Sequence, residues 1–98
     1  MSDPQLVKQL AELFDRAGHA HHQAFLAVNG EDPEWAAWYA EWLLDRLGRA
    51  LDRAYTVDEL TALLQAADRS KRELAPTVDW RTHYAQFFLE QSGPETAQ

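Results

Sequence analysis

The chain has no cysteine, one methionine, four glycines and four prolines in 98 residues. Without cysteine there is no disulfide scaffold, no thiol chemistry and no thiolate-ligated zinc or iron–sulfur site. Bases are also scarce, with nine Lys and Arg against sixteen Asp and Glu and a formal net charge of −7. Binding a phosphate backbone needs clustered Lys and Arg, so no nucleic-acid partner is expected. No apolar run approaches the ~20 residues of a membrane span. The opening MSDPQLVKQL lacks the basic and then apolar pattern of a secretory signal. These absences lead us to expect a soluble cytoplasmic protein with no membrane partner. Neither a G-x-S-x-G elbow nor a Gly-rich phosphate loop occurs.

With 46% hydrophobic and 26% charged residues, the composition is that of a folded domain. A chain of this length makes one domain, residues 1–98, with a radius of gyration of roughly 13 Å, too small for a multi-step enzyme. Charge is uneven. Residues 1–45 hold eight acids and two bases, and residues 46–98 hold eight acids and seven bases.

Hydrophobic spacing predicts four helices and no strand, an all-α bundle with an aromatic-rich core. Helix one spans about residues 4–28, with Asp3 as cap and Pro4 at the first position. Its inward positions are Leu6, Leu10, Leu13, Phe14, Ala17, Ala24, Phe25 and Val28, with His21 in register and Asn29-Gly30 as a left-handed stop. Helix two covers 33–47, opened by Asp32 as N-cap and Pro33, and ended or bent at Gly48. Helix three covers 57–71 behind the capping box Thr56-Val57-Asp58-Glu59, stapled by Tyr55 and Leu60. Pro76 disfavours any continuation. Helix four covers 78–91, with Trp80, Tyr84, Phe87 and Phe88 on one face and Gly93-Pro94 after it.

Helices two and four echo each other at an offset of 45 residues. Trp35 answers Trp80, Tyr39-Ala40 answers Tyr84-Ala85, and Trp42-Leu43-Leu44 answers Phe87-Phe88-Leu89. Duplication is one source of such an echo. The preceding helices do not align, however, and two helices that each need a large aromatic face and a small alanine at a crossing account for it. Helix one, at about 25 residues and ~37 Å, is longer than its neighbours need. Either it kinks at Gly18 or its surplus packs against a second copy, and we expect a homodimer.

Four groups of residues are candidates for function. Trp35, Trp38, Tyr39 and Trp42, answered by Trp80 and Tyr84, can fill the core, line a ligand pocket or form an interface, where Trp and Tyr are enriched. Asp15, His19 and His22 share a helix face and form an alternative divalent-metal or acid–base site, completed by Glu41, Asp45, Asp79 or His83. Neither H-E-x-x-H nor paired E-x-x-H spacing supports it. Otherwise Asp15–His19 is a solvated pair and His21 a core histidine bonded to a hydroxyl or carbonyl. Asp79 and His83, one turn apart, resemble part of a hydroxyl-activating group with Ser70, Thr77 or Thr82 as partner. Finally, Arg46, Arg49 and Arg53 follow the acidic stretch 31–45 and read as a solvated face, with a nucleotide-phosphate site as the sharper alternative.

The run DPEWAAWYAEWLL at 32–44, with HAHHQAF upstream, resembles a motif of small uncharacterised bacterial helical proteins. The resemblance covers roughly residues 18–47 and implies a helical fold but no reaction, so no catalytic residue is transferred. The expected function is therefore a helical binding or interaction protein with no cofactor. It would associate with itself, another protein or a small apolar ligand through the surface around Trp35–Trp42.

Overall fold

In the computed structural model, which describes residues 4–28 and 32–91, four helices run up, down, up and down. They are α1 (Pro4–Ala24), α2 (Trp35–Leu51), α3 (Val57–Leu74) and α4 (Trp80–Gln91). The expected caps at Asp3, Asn29-Gly30 and Gly93-Pro94 lie outside the described residues. No strand is present among the described residues, so the chain is all-α. None of the helices is long and apolar enough to cross a membrane. The Cα radius of gyration is 13.2 Å.

The core is built from positions three and four apart. On α1, Leu10, Leu13, Phe14 and Ala17 are buried, and α4 answers with Tyr84, Ala85 and Phe88. Phe14 is the centre, with ring centroids 5.5 Å from Phe88 and 5.6 Å from Tyr84. On α3, Leu60, Leu64 and Ala67 are fully buried. The buried stripe of α2 is Ala36, Ala40, Leu43 and Leu47, while Trp35, Trp38, Tyr39 and Trp42 flank it half-buried. Small alanines let neighbouring helices approach closely, and this pushes the large rings of α2 to the rim of the core.

The boundaries correct several expectations. The α-helical part of α1 stops at Ala24 rather than running to 28, and Leu26–Val28 form a tighter 3-10 turn. Phe25 closes it: its N–H bonds the His21 carbonyl at 3.0 Å and its ring stacks on His21 at 4.7 Å. Val28, expected to face inward, is 53% exposed. At 21 residues α1 has less surplus length than the dimer argument assumed. It runs as a single helix through Gly18, where a Cβ would lie 3.3 Å from Trp80 Cζ2. Glycine at 18 thus lets the first turn of α4 sit directly on α1.

Helix α2 begins at Trp35, two residues after the expected start, because Asp32 serves elsewhere. Its Oδ1 accepts the Glu34 N–H at 3.0 Å in a local turn, and its Oδ2 meets His21. The helix also passes Gly48 and ends at Leu51, with Asp52 as the left-handed stop at φ 53°. The Arg53 N–H returns to the Gly48 carbonyl at 2.9 Å, and a Cβ on residue 48 would lie 2.9 Å from the Arg53 carbonyl oxygen. Gly48 is therefore what lets the chain fold back, one turn before the stop itself.

The capping box of α3 is formed as expected: Thr56 Oγ1 accepts the Glu59 N–H at 3.1 Å and Glu59 Oε1 accepts the Thr56 N–H at 2.9 Å. The helix continues to Leu74, three residues past expectation, and the dipeptide Ala75-Pro76 then ends it. Helix α4 starts at Trp80 rather than 78, because the Asp79 carboxylate caps it by accepting the Thr82 N–H at 3.4 Å.

Candidate functional site

The up-down order places the C-terminal ends of α1 and α3 beside the N-terminal ends of α2 and α4. Trp35 and Trp80 are the first residues of α2 and α4, and Tyr39 and Tyr84 follow one turn later. The echo seen in the sequence therefore becomes a place: both Trp-x-x-x-Tyr pairs line one cavity of about 210 Å³, open to solvent, with Asp68 of α3 as the fifth wall. The burial patterns of the two helices agree as well, since Ala40 and Ala85 are fully buried, as are Leu43 and Phe88.

The rings stand nearly at right angles. Trp35–Tyr39 are 6.0 Å apart at 84°, Trp80–Tyr84 5.4 Å at 83°, and Tyr39–Trp80 join the two pairs at 6.4 Å and 83°. Edge-to-face packing of this kind is favourable, because the positive edge of one ring meets the negative face of the next. Gly18 underlies the junction, where a Cβ would lie 3.3 Å from the Trp80 ring and 3.7 Å from the Tyr39 hydroxyl. The Tyr84 hydroxyl donates to Asp68 Oδ1 at 3.3 Å, and Asp68 Oδ2 pairs with Arg72 at 3.0 Å on the exposed side. Burial, and then the Asp68 charge, raise the Tyr84 phenol above its ordinary value. Burial alone raises Tyr39.

Trp38 and Trp42 leave this group. Trp38 faces a second aromatic cluster, in which the His21 ring lies 5.1 Å from both Trp38 and Tyr39. His21 Nε2 and Asp32 Oδ2 are 3.1 Å apart, with both side chains only 9% exposed. The expected hydroxyl or carbonyl partner of His21 is in fact this carboxylate. Trp42 is covered by Arg46, whose guanidinium lies 3.9 Å over the ring and also donates to the Trp42 carbonyl. Arg53 lies 4.9 Å over Tyr55 in the same way, so two of the three arginines considered for phosphate stack on rings instead.

The alternative metal stripe does not assemble. Asp15 is bonded to Arg81 at 2.6 Å, and His19 and His22 are exposed. Among the described residues, no group of three His, Asp or Glu is placed to hold a metal ion. The hydroxyl-activating arrangement is half present. Ser70 Oγ lies 3.1 Å from His83 Nε2, but the Asp79 carboxylate turns away to Arg81, 2.8 Å from Nη2. Arg81 holds Asp79 below the usual carboxylate range.

Nothing in the sequence pattern singled out Asp68, which enters the site through α3. It showed the two Trp-Tyr pairs, but nothing about which helix faces would meet. Compared with models of protein families, with curated proteins and with solved structures, the chain matches none.

Proposed function

We propose that the chain is a small binding protein rather than an enzyme, holding a compact ligand in the box formed by Trp35, Tyr39, Trp80 and Tyr84. The observation that carries this reading is that four rings from two helices line one open cavity beside a single carboxylate. Ligand sites are concave and largely aromatic, with a few placed polar groups, and those for drug-sized ligands run to about 300–1,000 Å³. At about 210 Å³ this box suits a smaller group. Asp79 pairs with Arg81 rather than with the Ser70–His83 pair, which weighs against hydrolytic chemistry.

The four indole N–H signals in a nitrogen–proton correlation spectrum test the reading. Compact organic probes, neutral and charged, are added at millimolar concentration. We expect at least one to move the Trp35 and Trp80 signals and leave Trp42 in place. If no probe moves them, the box is not a ligand site.

Self-association is a second reading, favoured by exposed apolar side chains. Leu26 is 56% exposed, Val28 53% and Leu74 79%, and the topology brings all three to the end of the bundle that holds the box. A mass in light scattering of twice the 11.2 kDa of one chain supports it, and 11.2 kDa refutes it. The acidic, cysteine-free composition suits a cytoplasmic setting. The D-P-x-W-x-x-W-Y-A-x-W-L pattern at 32–43 supports membership of the small bacterial helical group.

A further inference from the structure

We infer that the aromatic box takes a quaternary ammonium headgroup, carried on a small free molecule; this rests on the box being a ligand site at all. The faces of Trp and Tyr rings carry negative charge density and attract cations placed within about 6 Å of the centroid. Rings meeting at 83–84° form a corner in which one cation faces more than one ring at once. Trp35, Tyr39, Trp80 and Tyr84 supply that corner from two sides, and Asp68 adds a carboxylate to the wall.

The polar groups specify the kind of cation. A primary ammonium has three N–H donors to satisfy. The Tyr84 hydroxyl already donates to Asp68, and the second carboxylate oxygen of Asp68 is paired with Arg72. The acceptors of the box are thus two phenol oxygens and one partly engaged carboxylate, set against four ring faces. That suits a cation whose nitrogen carries methyl groups in place of N–H. The overall charge of −7 favours the approach of cations. The backbone of every lining residue except Trp35 and Trp80, which start their helices, lies inside a helix, so the walls are side chains with no free strand edge for a peptide main chain. This favours a free small molecule over a modified side chain on a protein. Arg72, 72% exposed, competes with a bound cation for Asp68.

Titration calorimetry with three probes tests the assignment, alongside the indole spectrum to locate binding. The probes are choline, its neutral carbon isostere 3,3-dimethylbutan-1-ol, and ethanolamine as the primary ammonium. Choline is expected to bind at least about tenfold more tightly than either of the others. Asp68→Asn is expected to weaken choline about tenfold and leave the neutral isostere unchanged. Arg72→Gln is expected to tighten choline a few-fold. Trp35→Leu keeps apolar bulk at the rim but removes one ring face, so it should lower the preference for choline over the isostere. That ratio does not move if the residue is only structural. Equal binding of choline and the isostere at Trp35 and Trp80 overturns the cation assignment but leaves the binding reading standing. Tighter binding of ethanolamine than choline overturns the quaternary specificity. A trimethyl-lysine peptide that binds about tenfold more tightly than choline overturns the free small molecule. No response at the box to any probe overturns both readings.

Discussion

Replacing Asp32 by alanine should destabilise the fold far more than its position in a loop suggests. Two interactions depend on its carboxylate. Oδ1 accepts the Glu34 N–H at 3.0 Å just ahead of α2, and Oδ2 lies 3.1 Å from His21 Nε2 where both side chains are 9% exposed. The first bond resembles a helix N-cap, whose loss costs about 1 kcal/mol. The second is a charge-assisted bond in a mostly dry site, at about 1.5–3 kcal/mol. The sum, about 3 kcal/mol, is a large part of the 5–15 kcal/mol that holds a small domain together. For a chain this size it corresponds to a fall in Tm of about 12–24 °C. His21→Phe separates the two contributions, because it keeps a ring against Phe25, Trp38 and Tyr39 and removes only the nitrogen. A double-mutant cycle read by urea denaturation should give a coupling of about 1.5–3 kcal/mol between positions 21 and 32. Added salt should change it little, because the pair is shielded from solvent. An Asp32→Ala chain that melts with the parent, or a coupling below about 0.5 kcal/mol, would refute the assignment of the pair as a structural tie.

The remaining predictions concern the turns and the tyrosines. Asp52→Gly should raise stability by about 1 kcal/mol in denaturant melts, since it relieves a left-handed residue at φ 53°. Gly48→Ala should lower it by about 1–2 kcal/mol despite the better helix propensity of alanine, because the new Cβ would press on the Arg53 carbonyl at 2.9 Å. Thr56→Ala removes one arm of the capping box and should cost about 1 kcal/mol, read in the same melts. The raised phenols of Tyr39 and Tyr84 are protonated in the fold at a pH where free tyrosine ionises. Their contribution is therefore complete below the ordinary value of 10.0 and is lost as pH climbs above it toward the folded values. Tyrosinate absorbance should lag behind that of the unfolded chain above pH 10, and Tyr84→Phe should reduce the lag. Overlapping curves for the two chains would refute the burial argument.

What the sequence made legible follows from what is local. Three- and four-residue spacing is a property of one helix, so α1 to α4 and the Thr56–Glu59 box were readable. The same holds for the proline stop at Ala75-Pro76. Misplaced boundaries arose where a local signal was diverted by a distant partner. Asp32 looked like a cap for α2, but its second oxygen is held by His21, eleven residues upstream. Gly48 looked like a stop, yet its role is to clear the returning Arg53 carbonyl. Asp15 looked like a neighbour of His19, and instead reaches Arg81 across 66 residues. The box falls between these cases. Its two Trp-x-x-x-Tyr pairs were visible as an echo, but their meeting depends on the up-down order of the helices, and Asp68 enters only through α3.

The same up-down order decides what happens at the opposite pole of the molecule. Gly18 meets Trp80 and Phe14 meets Phe88, so α4 runs antiparallel to α1, and Pro4 at the start of α1 and Gln91 at the end of α4 lie at the pole away from the box. A purification tag, a fluorescent label or another folded unit attached at either point would start on that far side. The cavity mouth would then stay open.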